Sequence, residues 1–258
     1  GTSIWSYNTT VDTPMVDVNL SLTYTNIAQG LVHSKDDIFY VPYDNLIAKN
    51  DNGTWNSTAL TLPTHFYITS ICEMGNNIAI AMAPLSGAAT GQSRVFIWDR
   101  NTSLTELSET IPWEEGLLQI LDVVDGYLVG ISLSGNNTTR FNNKVIFRYL
   151  DGNNIVGYRA KKFLEIVSPT AQESAPPSPS VGTTALPIAK QIKDGRLHFL
   201  MQANINGEQR DGVWSLGRVS DSFSLIHERN VNNDTVLTSA TLYNFIYVGD
   251  YLFISYDD

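Results

Sequence analysis

The sequence predicts an all-β protein, specifically a five-bladed β-propeller made of four-stranded antiparallel blades. Three observations carry this prediction. A strand–turn–strand pattern occurs five times, and a Trp-containing strand follows some of its copies. In addition, no segment keeps apolar residues at positions i, i+3, i+4 and i+7 over three helical turns, which argues against long helices.

The repeated unit is an apolar strand, a tight polar turn and a second apolar strand. Its five copies are IAQGLVHSKDDIFYVPY (27–43), YITSICEMGNNIAIAMA (67–83), LLQILDVVDGYLVGISL (117–133), LPIAKQIKDGRLHFLM (186–201) and LYNFIYVGDYLFISY (242–256). Gly, Asn and Asp cluster at the turns, as hairpin loops require. One aliphatic residue follows each turn at the same offset: Ile38, Ile78, Leu128, Leu197 and Leu252. Their successive differences in residue number are 40, 50, 69 and 55, which fits propeller blades with variable loops.

The first four hairpins are each followed by candidate third and fourth strands. These are NLIAK and TWNSTALTL, VFIWD and SLTEL, VIFRYL and NIVGYR, and GVWSL and SFSLIH. The last hairpin has no such strands after it, whereas SIWSY (3–7) and PMVDV (14–18) have no hairpin before them. We therefore expect the N-terminal strands to close the last blade, which would remove the free sheet edges. The recurring Trp5, Trp98 and Trp214 are then expected to pack against neighbouring blades.

The whole chain, residues 1–258, is predicted to be a single propeller domain. A proline-rich stretch, TAQESAPPSPSVGTTALP (170–187), interrupts the pattern and is interpreted as a surface excursion between blades. An interdomain linker is the alternative, but the repeat resumes immediately after this stretch. A chain that stops just after a strand, at SYDD, is also expected of a piece of a longer protein.

Composition excludes several classes of partner and chemistry. The net charge is −10 and only 16% of residues are charged, so no basic surface is expected to bind nucleic acid. No stretch is apolar enough to insert into a membrane. The single cysteine, Cys72, has apolar neighbours and is expected to be an inert core residue. The four histidines lie in separate segments, so neither a metal site nor a cofactor is predicted: His33, His65, His198 and His227.

A ligand is expected on the face of the ring that carries the long connections between strands, because variable loops on a rigid scaffold commonly carry function. The candidate ligand-binding residues there are Trp113, Glu115, Arg140, Phe141, Gln209 and Arg210. First-strand residues are candidates for lining a polar central channel: Gln29, Gln119, Asp122 and Gln191. The alternative for the channel residues is that they only hydrogen-bond water at the centre of the ring.

The segment KQIKDGRLHFLMQANINGEQRDGVWSLGR (190–218) and the later YVGDYLFISYDD resemble propeller domains of virion and tail-associated proteins in bacteriophage-like genomes. The run GVWSLGR is the clearest part of this resemblance, which covers about the last quarter of the chain. The resemblance implies a structural or host-attachment role on a virion, and it assigns no site residues.

The sequence thus predicts a non-enzymatic adhesion or assembly propeller on a virion or cell surface, contacting a glycan or protein, with other virion proteins as further partners. A purely structural spacer is the second class. The third is a five-bladed glycoside hydrolase, which needs two carboxylates facing one pocket. The first strands offer only Glu73 and Asp122 for this purpose, and Glu73 is expected to point away from Asp122.

Overall fold

The computed structural model describes residues 2–8, 13–20, 32–33, 38–51, 53–84, 93–107, 117–133, 144–151, 159–167, 189–201, 204–205, 208–232, 234 and 241–257. Every regular element within these residues is a β-strand. The prediction of an all-β protein is confirmed for this part of the chain. Since these residues form no helix, none of them belongs to a helix long and apolar enough to cross a membrane.

The strands follow one another along the chain with short turns inside each hairpin. They are β1 (Thr2–Asn8), β2 (Thr13–Leu20), β3 (Val32–His33), β4 (Ile38–Tyr43), β5 (Leu46–Asp51), β6 (Thr54–Thr61), β7 (Phe66–Met74), β8 (Asn77–Pro84), β9 (Arg94–Trp98), β10 (Leu104–Glu106), β11 (Leu117–Val124), β12 (Tyr127–Leu133), β13 (Lys144–Asp151), β14 (Arg159–Val167), β15 (Lys190–Lys193), β16 (Arg196–Met201), β17 (Asn204–Ile205), β18 (Glu208–Gln209), β19 (Gly212–Val219), β20 (Ser222–Asn230), β21 (Thr241–Val248) and β22 (Tyr251–Asp257).

Four antiparallel four-stranded sheets match predicted blades one to four. Blade one is β3-β4-β5-β6, blade two is β7-β8-β9-β10, blade three is β11-β12-β13-β14 and blade four is β15-β16-β19-β20. Each blade is an up-and-down meander, so its first-to-second and third-to-fourth turns lie on one side, which we call the short-turn face. Its second-to-third connections and the links between blades lie on the other side, the long-loop face.

The hairpin turns have the backbone that their sequences predict. Asp125 and Gly126 have φ values of 49° and 78°, and Asp194 and Gly195 have 52° and 73°. Positive φ at both central residues is what a type I′ turn requires, and Asp-Gly is a favoured pair for it because glycine has no Cβ and aspartate tolerates this region. These turns fix the register of the inner hairpins of blades three and four.

The hydrophobic core lies between successive blades. One cluster joins blade one to blade two through Tyr40, Ile47 and Trp98, and a second joins blade two to blade three through Val95 and Leu121. A third cluster joins blades three and four to the β21–β22 hairpin. This face-to-face stacking of consecutive sheets is the packing that a propeller needs.

The recurring tryptophans belong to this core where their side chains are described. Trp98 is 1% exposed and meets Tyr40 of blade one edge to face, with the ring centroids 5.7 Å apart. Trp214 is 3% exposed and stacks on His227 of its own blade at 4.2 Å. The predicted packing against a neighbouring blade is therefore confirmed for Trp98. The side chain of Trp5 is not among those described.

Two local predictions were wrong. The fourth strand of blade three was expected at NIVGYR (154–159), but β14 begins at Arg159 and extends to Val167. It pairs with β13 over that length, and Phe163, Leu164 and Ile166 pack against the core. The connection at 202–211 is one of the long connections that were expected to be loops, but it contains the small β17–β18 hairpin. The proline-rich stretch 170–187 lies outside the described residues.

The terminal strands form as expected, but as two separate pairs. The strands β1 and β2 pair with each other, and so do β21 and β22. In the part of the chain that the structure describes, no ladder joins these two pairs. Closure of the last blade by the N-terminal strands therefore stays a prediction.

Candidate functional site

The first strands of blades two and three are joined by side-chain hydroxyls at the centre of the molecule. Both strands carry a β-bulge at the same place in the repeat, at Thr69 in β7 and at Gln119 in β11. The Thr69 hydroxyl donates to the Leu118 carbonyl at 2.5 Å. The Ser70 hydroxyl donates to the carbonyl of Leu121 and accepts from its N–H, both at 3.2 Å. The bulges thus expose backbone groups that tie neighbouring blades together.

Lys190 extends this link to blade four. Its side chain is 6% exposed, and its Nζ lies 2.9 Å from Oδ2 of Asp122, whose side chain is 16% exposed. The same ammonium donates to the Ile71 carbonyl at 2.8 Å and to the Leu121 carbonyl. One lysine on β15 therefore contacts the first strands of blades two and three. Because a buried ammonium needs its three donors satisfied, this lysine is a central structural element.

Gln191, a candidate channel residue, continues the link towards the C-terminal hairpin. Its Nε2 donates to the Tyr247 carbonyl at 3.2 Å, and its Oε1 accepts from the Tyr247 N–H at 2.8 Å. The amide thus forms a reciprocal pair with the backbone of β21. Beside it lies a cavity of about 520 Å³. Its lining residues are Lys190, Gln191, Asn244, Phe245, Ile246, Phe253, Ile254 and Ser255.

Gln119 differs from the other candidate channel residues because its amide is buried without a partner. It is 1% exposed, and neither Nε2 nor Oε1 has a hydrogen-bond partner in the structure. Burying an amide without a partner is unfavourable, so Gln119 lowers the stability of the fold. Gln29 lies outside the described residues.

Replacing Gln119 with methionine, which has a similar shape, is expected to raise the free energy of unfolding by about 1 kcal/mol because the unpaired amide is removed. Urea denaturation measures this change. Gln191→Met is the matched control: it removes a doubly hydrogen-bonded amide and is expected to lower the free energy of unfolding by about 1–2 kcal/mol. A loss of stability in Gln119→Met similar to that in Gln191→Met would contradict the assignment of Gln119 as unpartnered.

On the long-loop face, the structure describes the region around Arg210. The Arg210 guanidinium pairs with Oε2 of Glu208 at 2.6 and 3.1 Å. Its backbone carbonyl accepts from the Trp214 indole at 3.3 Å. Both charged side chains are partly exposed, so the pair is available at the surface. Gln209 lies between them in β18, and its side chain is not described.

The base of this connection is firmly held. The backbone N–H of Asp211 donates to Oδ1 of Asn232 at 2.7 Å, and the Asn232 amide donates back to the Asp211 carboxylate at 3.2 Å. The Asp211 carbonyl also accepts from the Val231 N–H. Arg210 is therefore presented on an anchored segment. The other ligand-binding candidates lie outside the described residues: Trp113, Glu115, Arg140 and Phe141.

Both carboxylates that a glycosidase could use are engaged in ion pairs. Asp122 pairs with Lys190 as described above, and Oε1 of Glu73 lies 2.5 Å from Nη2 of Arg100. Each carboxylate thus has its own cation.

Cys72 and His198 are buried, and Nε2 of His198 lies 3.8 Å from Oε1 of Glu228. Burial raises the pKa of the Cys72 thiol, which agrees with its expected place in the core. Burial also lowers the pKa of His198 and of His227. Among the described residues, no group of three or more His, Cys, Asp or Glu side chains could hold a metal ion.

Comparison with known proteins supports the fold but gives no family. No protein-family model matches the sequence, and no curated protein matches it. The chain is similar to the β-propeller in a crystal structure of a nidogen/laminin complex, with a TM-score of 0.51 and 9% sequence identity over 96% of this chain and 77% of that chain. Together with the four stacked sheets, this likeness places the protein in the β-propeller class of folds.

Two further solved structures are similar at lower TM-scores. One is an endo-arabinase from Bacteroides thetaiotaomicron, with a TM-score of 0.45 and 14% identity over 92% of this chain and 89% of that chain. The other is an acylaminoacyl peptidase from Pyrococcus horikoshii, with a TM-score of 0.44 and 10% identity over 98% of this chain and 35% of that chain. At these identities and scores neither likeness carries a functional argument.

Proposed function

We propose that this protein is a non-enzymatic binding or assembly propeller that contacts a glycan or a protein through its long-loop face. The observation that supports this proposal is the difference between the two faces. The first-to-second turns of blades two, three and four and of the β21–β22 hairpin consist of residues 75–76, 125–126, 194–195 and 249–250. On the opposite face, the connections after β8, β12 and β16 span 85–93, 134–143 and 202–211, whereas the connection after β4 is only 44–45. A rigid scaffold with long connections on one face is typical of binding modules.

The central contacts favour a rigid scaffold over a catalytic centre. A glycosidase needs one carboxyl group as proton donor and a second carboxylate across the same pocket. Asp122 pairs with Lys190, and Glu73 pairs with Arg100, so each carboxylate already has a cationic partner. These ion pairs support the non-enzymatic function over the hydrolase alternative. A virion or cell surface is the location that we propose, on the basis of the resemblance carried by GVWSLGR (212–218).

We also propose that the ring has five blades and that β1 and β2 complete the last one. The core clusters connect blade one to blade two and so on to the β21–β22 hairpin, as a ring requires. That hairpin packs Phe245 and Leu252 towards blade four. Its opposite face exposes Ile246, Val248, Tyr251 and Phe253 at 53–75%. In the proposed ring, the open edge of β22 would pair with the N-terminal strands, and the exposed apolar face would pack against blade one.

A glycan array tests the proposed binding function. The intact chain is expected to give a signal that Trp113→Ala lowers for the glycans bound at the long-loop face, because an aromatic loop residue would supply the stacking surface for a sugar. Asp194→Asn, an exposed residue of a short turn on the opposite face, is the control and is expected to keep the signal. No signal from the intact chain, or a signal that is indifferent to Trp113→Ala, would overturn glycan binding at this face. Hydrolysis of any arrayed glycan would overturn the non-enzymatic function.

A further inference from the structure

A second cavity, of about 490 Å³, opens near the short-turn face between blades three and four. Its lining residues are Tyr127, Tyr149, Phe163, Arg218, Asp221, Ser222 and Phe223. Tyr127 directly follows the turn at 125–126, and Asp221 lies in the turn that joins β19 to β20. We call this the aromatic–arginine cavity. Its volume is within the range of small-molecule sites, and it is separate from the candidate residues of the long-loop face.

Four aromatic rings form one wall of the cavity. Phe163 and Phe223 are stacked with their centroids 4.3 Å apart and their planes 20° apart. Tyr149 lies 5.2 Å from Phe223, and Tyr127 meets Tyr149 edge to face at 5.6 Å. All four rings are partly exposed. They therefore form a rigid apolar surface that is open to solvent on one side.

The arginine beside this wall is half-buried and interacts with the Tyr127 side chain, but one of its donors has no hydrogen-bond partner. The Arg218 side chain is 13% exposed, and its Cζ lies 4.4 Å from the ring centroid of Tyr127 and 5.5 Å from that of Phe223. Its Nε is buried and has no hydrogen-bond partner in the structure. Two carboxylates lie nearby but beyond hydrogen-bonding distance. Oδ2 of Asp125 is 3.7 Å from Nε, and Oδ1 of Asp221 is 3.9 Å from Nη2. The cavity thus combines an aromatic wall with a guanidinium donor and two exposed carboxylate acceptors.

From this combination we infer that the aromatic–arginine cavity binds a neutral sugar ring. A pyranose offers an apolar C–H face to the aromatic wall, hydroxyl acceptors to Arg218 and hydroxyl donors to Asp125 and Asp221. A cationic ligand fits poorly because Arg218 already occupies the position over the rings. An anionic ligand is opposed by the two carboxylates and by the net charge of −10.

Saturation-transfer-difference NMR on the full chain tests this inference. The probes are glucose, galactose, mannose and N-acetylglucosamine, with N-acetylneuraminic acid and choline as charged comparators. At least one neutral sugar is expected to receive saturation, and Arg218→Met is expected to weaken its binding at least about tenfold because a charged donor is lost. Arg94→Met is the matched control, since Arg94 also lies over a ring, that of Phe66 at 4.3 Å, and pairs with Glu106 in blade two.

A second variant keeps the test independent of folding. Asp221 is fully exposed, so Asp221→Asn is expected to leave thermal unfolding unchanged and still weaken sugar binding by severalfold. Absence of saturation for every neutral sugar would overturn the inference, as would binding of only N-acetylneuraminic acid or only choline. The inference would also be overturned if Arg210→Met removed sugar binding while Arg218→Met and Asp221→Asn left it unchanged. That result would support a sugar site on the long-loop face instead.

Discussion

Replacing Lys190 with methionine is expected to lower the free energy of unfolding by about 3–5 kcal/mol, because Asp122 is left buried without its cation. The carbonyls of Ile71 and Leu121 lose a donor in the same change. The effect should reach beyond blade four, since these acceptors belong to the first strands of blades two and three. Urea denaturation followed by tryptophan fluorescence measures the loss.

Two further variants separate the lost ion pair from a lost positive charge. Lys193→Met removes a lysine of the same strand that pairs with the exposed Asp194, and it is expected to change the stability little because exposed ion pairs are weak. In Lys190→Met combined with Asp122→Leu, no buried carboxylate remains, so most of the stability is expected to return. If Lys190→Met and Lys193→Met had equal costs, Lys190 would not be the central link that its contacts indicate.

The inner hairpins could be predicted from the sequence because their signals are local. Asp125-Gly126 and Asp194-Gly195 specify a turn by their own backbone preferences, and the apolar runs on either side specify the strands. The fourth strand of blade three was misplaced for the opposite reason. NIVGYR has more apolar residues than the first half of β14, but the position of β14 depends on its packing through Phe163 and Ile166 against the core.

The candidate sites could be predicted less well, because their contacts join distant segments. Lys190 bonds to carbonyls 69 and 119 residues earlier in the chain, and both bonds depend on strand order. The bulges at Thr69 and Gln119 leave no distinct sequence signal. The aromatic–arginine cavity likewise draws its residues from two blades. Its only sequence signal is aromatic and arginine residues close to the hairpin turns.

Deleting residues 1–20 removes β1 and β2. The truncated chain is expected to associate instead of staying monomeric, and to lose its single cooperative unfolding transition. In the proposed ring these strands complete the last blade, so the deletion would leave the edge of β22 open. The free edge of β22, beside the exposed apolar residues Ile246, Val248, Tyr251 and Phe253, would then promote association between chains through strand pairing. Size-exclusion chromatography with light scattering reports the association, and calorimetry reports the loss of a single transition.

Adding back a synthetic peptide of residues 1–20 separates closure from a general loss of stability. If β1 and β2 complete the last blade, the peptide should restore a monomer-sized complex with a single melting transition, because it can occupy the same sheet edge. A peptide with Ile4 and Trp5 replaced by Ser should not. If the truncated chain stayed monomeric and melted as the intact chain does, the N-terminal strands would not close the ring, and β22 would be a natural free edge.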